Sequence, residues 1–215
     1  MIVPSEDLPN LHVFDHPLIR HKLTRMRRKE TDAREFRRLL DEIAALMTFQ
    51  VCSDMPTETV RIETPLEEMD GERILGPVTL VPILRAGLGM TEGISSVLSE
   101  ARIGHIGLYR DEQTLEPVSY YFKLPDQVAQ GPVLLVDPMI ATGNSAAHAL
   151  NELKRVGCTQ ITMVCLVCAP EGIRTLNEQH PDIRIYAAAL DRQLNDQGYI
   201  LPGLGDAGDR IFGTH

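Results

Sequence analysis

From about residue 78 onward, short apolar segments alternate with segments of helical pattern. The apolar segments are VTLVPIL, IGHIGLY, VSYYFKL, VLLVD, ITMVCLV and IRIYAAAL, and the helical ones are TEGISSVLSEA, SAAHALNELKRV and residues 172–179. Strands that alternate with helices predict an α/β fold, with a mostly parallel sheet flanked by helices. In such sheets ligands bind at the carboxyl ends of the strands.

The N-terminal part has a different pattern. From Thr31 onward apolar residues recur at helical spacing, with Thr31 or Asp32 as the N-cap, and the first 55 residues are predicted to be helical. The 215 residues fit one domain. We therefore expect a single domain over 1–215, with a helical extension at about 1–55, an α/β core at about 75–190 and a C-terminal segment at about 191–215.

Composition limits the partners. The net charge is -9, which disfavours broad binding to nucleic acid or to an anionic membrane. No apolar stretch reaches the ~20 residues of a membrane helix, and no signal peptide is evident, so a cytoplasmic location is expected. One segment, Arg20–Lys29, is strongly basic. It is interpreted as a solvated helix face or subunit contact, with an anion or effector site as the alternative.

The cysteine and histidine patterns do not predict a disulfide, a metal site or a catalytic site. Cys165 and Cys168 form a C-x-x-C inside an apolar run that is predicted to be a buried strand. Residues three apart on a strand face opposite sides, so neither a disulfide nor a shared metal is expected. No second cysteine or histidine pair completes a zinc site, and no G-x-S-x-G is present.

The segment VLLVDPMIATGNSA, residues 133–146, has the features of an anion site. Asp137 ends a strand, Pro138 is expected to stop the ladder, and Gly143 allows a tight turn. A helix is predicted to begin at Ser145, so its first N–H groups, with the Thr142 and Ser145 hydroxyls, could bind a phosphate. The absence of lysine excludes an ATP-type loop. Asp137 suits a pair of ribose hydroxyls. The alternative is a capped helix without a ligand.

Two more stretches contain candidate binding groups. PILRAGLGM, residues 82–90, follows a strand and combines Arg85 with two glycines. Exposed backbone N–H groups and a guanidinium suit phosphate oxygens, although a surface salt bridge is the plainer interpretation. LYRDEQTLEPVSYYFKL, residues 108–124, is predicted to be a hairpin that could cover a site, or an ordinary hairpin.

GLGDAG, residues 203–208, spells G-x-G-x-x-G. The dinucleotide interpretation fails, because no long helix can follow and no acid lies ~20 residues further on. A glycine-dense loop with one central acid remains, where backbone can approach a flat ligand closely.

These stretches resemble a known family. Residues 133–146 resemble the phosphoribosyl-diphosphate motif of the type I phosphoribosyltransferases. The single acid followed by Pro-Met and Ala-Thr-Gly looks like the uracil phosphoribosyltransferase branch. The stretches HPLIRHKLTRMR, PILRAGLGM, HIGLYRDEQTLEPVSYYFKLP and GYILPGLGDAGDRIFGT also match that branch, so the resemblance covers nearly the whole chain. Pro138 replaces the motif's second acid, and Gln50 and Asn144 stand where the family more often has Glu and Gly.

The resemblance implies a fold like that of the type I phosphoribosyltransferases, with N-terminal helices and a β-hairpin lid. It implies transfer of phosphoribosyl from 5-phospho-α-D-ribose 1-diphosphate to uracil, giving UMP and diphosphate. It also implies Mg²⁺, held mainly through the substrate diphosphate and not by direct side-chain ligation. The implied catalytic residues are Arg85, Arg110, Asp137 and Asp206. The implied ligands of the sugar diphosphate are Arg85, Arg110, Asp137, Pro138, Met139, Ile140, Ala141, Thr142, Gly143, Asn144, Ser145 and Asp206. The implied uracil site comprises Tyr199, Ile200, Gly205, Asp206 and Ala207.

Other functions stay open at this point. The same fold could serve a nucleotide-sensing regulator that binds RNA, although the acidic charge disfavours it. The base could be hypoxanthine or orotate, but orotate needs a cation that residues 198–208 do not offer. A GTP effector and a homo-oligomer, either a dimer or a tetramer, are further expectations.

Overall fold

The computed structural model describes the backbone of residues 2–5, 7–110 and 117–214, and the side chains of residues 7–109 and 118–214. The helices are α1 (Pro17–Arg27), α2 (Ala33–Val51), α3 (Leu88–Val97), α4 (Asn144–Arg155), α5 (Pro170–Gln179) and α6 (Ala207–Phe212). The strands are β1 (Ile2–Ser5), β2 (Leu8–Phe14), β3 (Thr57–Glu63), β4 (Glu68–Ile74), β5 (Thr79–Leu84), β6 (Arg102–Ile103), β7 (His105–Arg110), β8 (Pro117–Lys123), β9 (Val133–Val136), β10 (Met139–Ile140), β11 (Ile161–Cys168), β12 (Arg184–Leu190), β13 (Gln193–Leu194) and β14 (Ile200–Leu201).

The main sheet has the order β1-β2-β12-β11-β9-β5-β7-β8. Its interior pairs are parallel, whereas β1 and β8 pair antiparallel at the two edges. Strand β9 is buried on both faces, since Leu134 and Val136 pack with α1, α2, α3 and α6 while Val133 and Leu135 pack with α4 and α5. This arrangement confirms the predicted α/β fold with a mostly parallel, helix-flanked sheet.

The N-terminal prediction is partly wrong. Helices α1 and α2 lie in the predicted region, and Asp32 caps α2 by accepting from the backbone N–H of Glu35 at 2.8 Å. Residues 2–5 and 8–14, however, are strands, and β2 joins the main sheet beside β12. A short segment with mixed polarity has no clear periodicity, so its pairing depends on the partner strand.

The prediction for the C-x-x-C is also wrong in geometry. Leu166 and Val167 both donate their backbone N–H to the Pro138 carbonyl, at 3.0 and 3.1 Å, which is the pattern of a β-bulge. The bulge breaks the alternation of β11, so Cys165 and Cys168 face the same core. Both thiols are free and buried, and burial raises the pKa of Cys165.

Candidate functional site

The carboxyl ends of β5, β9 and β12 lie at one edge of the sheet. Strands β5 and β9 are parallel neighbours, with Pro82 opposite Val136. Arg85 and Asp137 follow these two strands directly, and Asp191 follows β12. The candidate residues therefore lie at the carboxyl ends of the strands, where ligands bind in parallel sheets.

Loop 137–145, defined by those residues, leads from β9 into α4. Pro138 was expected to end the strand pairing, and this prediction is wrong. Its carbonyl accepts the two N–H groups of the β11 bulge, and β10 then continues the parallel ladder with β11. A proline lacks a donor but keeps its acceptor, so it can lie between two paired segments.

Gly143 is required by the shape of this loop. Its φ is +85°, and a Cβ there would lie 2.6 Å from the carbonyl oxygen of Gly172 in α5. Helix α4 begins at Asn144, one residue earlier than predicted, and among the described residues no side chain caps its start. The first N–H groups of α4 are thus available to an anion, with the half-buried Thr142 and the exposed Ser145 beside them.

Asp137 is an acid in an unusual environment. Its carboxyl lies deep in the protein, although the residue as a whole keeps some exposure to solvent. Burial raises the pKa of Asp137 to about 7, the nearby Asp206 carboxylate adds to this, and the backbone N–H of Met139, 3.4 Å away, opposes it. Two acids from distant parts of the sequence therefore interact here.

Arg85 lies on the turn between β5 and α3. The turn packs tightly, because a Cβ at Gly87 would lie 2.6 Å from the Val136 carbonyl oxygen. The exposed Arg85 guanidinium lies 5.5 Å from the centroid of the Phe212 ring in α6. The side chain of Arg110 and the tip of the predicted lid, residues 111–116, fall outside the described residues.

The predicted base-binding residues lie on one segment. Strands β13 and β14 pair, and the chain then continues into α6. The segment from the start of β14 to the first residue of α6 is called loop 200–207. Ile200 and Ala207 are buried, whereas Tyr199 is half exposed. Gly205 has a φ of +80°, and Asp206 caps α6 by accepting from the backbone N–H of Asp209 at 2.9 Å.

The comparisons with known proteins agree with this geometry. A family profile described as uracil phosphoribosyltransferase matches residues 13–214. The chain belongs to the uracil phosphoribosyltransferase family. The uracil phosphoribosyltransferase of Acidovorax sp. (strain JS42) is 58% identical over 208 residues, which are 96% of this chain and 100% of the relative. That of Bacillus thuringiensis (strain Al Hakam) is 54% identical over 205 residues, which are 95% and 98% of the two chains.

Solved structures give the same family fold. The AQ2163 protein of Aquifex aeolicus superposes with a TM-score of 0.89 at 34% identity, covering 94% of this chain and 97% of that one. The adenine phosphoribosyltransferase of Trypanosoma brucei has a TM-score of 0.61 at 12% identity, covering 96% and 91%, and shows the shared fold alone. The predicted family and type I phosphoribosyltransferase fold are thus confirmed.

In this member of the family, several residues near the site were not predicted. The Glu171 carboxylate in α5 accepts a hydrogen bond from the backbone N–H of Leu194 at 3.0 Å, which attaches β13 to α5. Arg27, Asp191 and Arg210 hold loop 200–207. No sequence signal marks them, because each acts on a segment far away along the chain. Among the described residues, no helix is long and apolar enough to cross a membrane.

Proposed function

We propose that this chain transfers the 5-phosphoribosyl group of 5-phospho-α-D-ribose 1-diphosphate to uracil, giving UMP and diphosphate. The observation that carries the proposal is the convergence of three groups around Asp137. These groups are the uncapped start of α4, Arg85 on the adjacent strand end, and loop 200–207, whose Asp206 acts on Asp137 electrostatically.

Each part of the substrates is assigned to one group. The 5′-phosphate binds the first N–H groups of α4 with the hydroxyls of Thr142 and Ser145. The ribose hydroxyls donate to Asp137, and the diphosphate binds Arg85 and Arg110. The base lies against Ile200 and the backbone of loop 200–207, with Tyr199 at the rim. Support comes from the burial of Ile200 and the half-exposure of Tyr199.

The reaction follows from these positions. The bond from the anomeric carbon to the diphosphate oxygen breaks with its electron pair leaving on the diphosphate, the bond to uracil N1 forms, and the N1 proton passes to solvent. Positive charge grows at the anomeric carbon and negative charge on the diphosphate. Catalysis is then positioning and electrostatic stabilisation by Arg85, Arg110 and Asp137, and no protein nucleophile is needed.

Magnesium fits the acids of the site. The described residues contain no group of three or more His, Cys, Asp or Glu side chains that could hold a metal ion. Asp137 and Asp206 are close enough to interact electrostatically, and their negative charge suits a Mg²⁺ ion that is held mainly by the substrate diphosphate. The ion would be carried by the diphosphate and would neutralise its growing charge. We expect chelation of divalent ions to abolish UMP formation and added Mg²⁺ to restore it.

Self-association has support from the β3–β4 hairpin. Leu66 at its tip is 95% exposed, and Ile62 and Met69 are also exposed. A two-stranded hairpin is marginally stable alone, so cover by a second copy would stabilise it. The dimeric or tetrameric state, the GTP effector and the cytoplasmic location stay predictions. Analytical ultracentrifugation tests the first of them.

The test is a UMP-formation assay with uracil, cytosine, hypoxanthine and orotate as bases. Product is expected with uracil alone. A nucleotide product from hypoxanthine or orotate at comparable kcat/KM would contradict the base assignment. The RNA-binding alternative gains no support from the comparisons or from the net charge of -9. A titration with RNA at physiological salt is therefore expected to show no saturable binding.

A further inference from the structure

A buried ion pair joins α1 to the end of β12. Asp191 has a side chain only 5% exposed, and Arg27, at the last turn of α1, is 21% exposed. The guanidinium is bidentate, with Nη1 donating to Oδ2 and Nη2 to Oδ1, both at 2.7 Å. A buried charge is costly unless it is paired, so these two side chains act as one unit.

The same ion pair holds both polar backbone groups of Gly203. The backbone N–H of Gly203 donates to Asp191 Oδ2 at 2.9 Å, and its carbonyl accepts from Arg27 Nη1 at 2.7 Å. Gly203 has a φ of +63°, and a Cβ there would lie 2.1 Å from the Ile200 carbonyl oxygen. Gly203 therefore packs directly against the Ile200 backbone, and we expect a shift of Gly203 to displace Ile200 as well.

A second arginine extends this attachment by one residue. Arg210 Nη1 donates to the Leu204 carbonyl at 2.9 Å, and Nη2 donates to the carbonyls of Arg28 at 2.7 Å and Thr31 at 3.2 Å. Two consecutive carbonyls of loop 200–207 are thus fixed, that of Gly203 to the end of α1 and that of Leu204, through Arg210, to the turn between α1 and α2. The N-terminal helices therefore serve as the frame for this loop.

We propose that Arg27 and Asp191 are a positioning pair that sets the backbone of loop 200–207 for reading the base. The inference rests on the proposed assignment of uracil to this loop. Neither side chain is required to touch the base. The role differs from the one expected for the basic segment Arg20–Lys29, because the Arg27 guanidinium is bonded within the chain to Asp191 and Gly203.

The proposal makes the two substrates respond differently. Arg27 and Asp191 hold Gly203, whereas the sugar phosphate is assigned to loop 137–145, which neither side chain contacts in the described hydrogen bonds. Disturbing the pair should therefore weaken uracil binding much more than sugar-diphosphate binding, because loop 200–207 reaches the sugar-diphosphate site only through Asp206. A displaced backbone should also distinguish uracil from cytosine less well, since fixed donors and acceptors produce that preference.

The experiment compares Arg27→Gln, Arg27→Lys and Asp191→Asn with Arg25→Gln. Arg25 lies on the same helix and pairs with Glu35 at the surface, which makes it the matched control. We would measure KM for uracil, KM for the sugar diphosphate, and kcat/KM for uracil and for cytosine. The melting temperature of each variant is measured as well, to check that it is folded. In Arg27→Gln we expect KM for uracil to rise about tenfold or more, as for a small misplacement of a binding group.

The other readouts decide between positioning and general damage. KM for the sugar diphosphate should stay within about twofold, and Arg27→Lys, which keeps the charge but not the fork, should be intermediate. If Asp191→Asn does not fold, Arg27→Gln and Arg27→Lys decide. An unchanged KM for uracil in folded Arg27→Gln, or an equal rise in both KM values, overturns the proposal. Absence of UMP formation by the unmodified protein and by Arg25→Gln would instead refute the proposed function.

Discussion

Replacing Asp137 by Asn should weaken substrate binding and yet stabilise the ligand-free protein. The carboxyl is a preferred acceptor for ribose hydroxyls, so its loss should lower kcat/KM. In the ligand-free protein, however, burial and the neighbouring Asp206 raise the pKa of Asp137 from 3.8 to about 7. The site therefore carries an acid that is costly to ionise until substrate arrives.

The sign of the pH effect follows from this shift. Between about pH 4 and pH 7 the native protein holds a proton on Asp137 that the unfolded chain has lost, so stability falls as pH rises through this window. Asn cannot titrate. The stability of Asp137→Asn relative to the unmodified protein should therefore increase with pH up to about 7 and then level off.

The magnitude can be bounded. From pH 5 to pH 7 the window spans roughly two pH units, each worth at most about 1.36 kcal/mol, and partial access of solvent reduces this to about 1–2 kcal/mol in total. For a chain of 215 residues that is roughly 2–8 °C of melting temperature. Most of the gain should be present by pH 8.

The assay is thermal unfolding of both proteins without ligand at pH 5, 6, 7 and 8. The exposed Asp126→Asn serves as control for the general effect of removing one negative charge. A difference in melting temperature that is flat across this range would refute the reasoning. So would a loss of stability in Asp137→Asn at pH 8, since it would mean that the carboxylate is stabilising in the free site.

The remaining predictions concern single contacts. Thr142→Val should weaken sugar-diphosphate binding by about 1.5–3 kcal/mol, while Thr142→Ser should keep it. If calorimetry gives the Val variant the same affinity as the unmodified protein, Thr142 is not part of the phosphate site. Arg85→Lys should lower kcat/KM by roughly tenfold or more, because an ammonium cannot reproduce the bidentate fork, and unchanged steady-state kinetics would count against Arg85. Ile200→Ala should cost about 1–3 kcal/mol in uracil binding and keep the preference over cytosine. Gly205→Val should abolish activity with uracil, because a φ of +80° is unfavourable for a β-branched residue. If Ile200→Ala accepts cytosine, or if Gly205→Val stays active, the base is recognised by residues elsewhere.

Local patterns carried much of the fold and of the site. Apolar segments such as residues 133–136 and 161–168 were recognisable as strands, because strands of a helix-flanked parallel sheet are apolar on both faces. The chemistry of loop 137–145 was also readable, since an acid at a strand end and an uncapped helix start are adjacent in sequence. The family resemblance supplied the substrates, which no periodicity could have indicated.

Contacts between distant residues were decided only by the tertiary structure. Strand β2 has little pattern of its own and becomes a strand by pairing with β12. Cys165 and Cys168 share a face because a bulge forms where the Pro138 carbonyl accepts two N–H groups. In each case the deciding group belongs to another segment.

The Arg27–Asp191 pair shows the same limit within the site. Its two members lie 164 positions apart, and Arg27 stands in a basic run that is typical of a solvated face. By itself the sequence determined that residues 203–208 form a glycine-dense loop with one acid. Which side chains hold that loop depends on where α1 packs, because a hydrogen bond needs its two atoms within about 3 Å, a condition that only the folded chain satisfies.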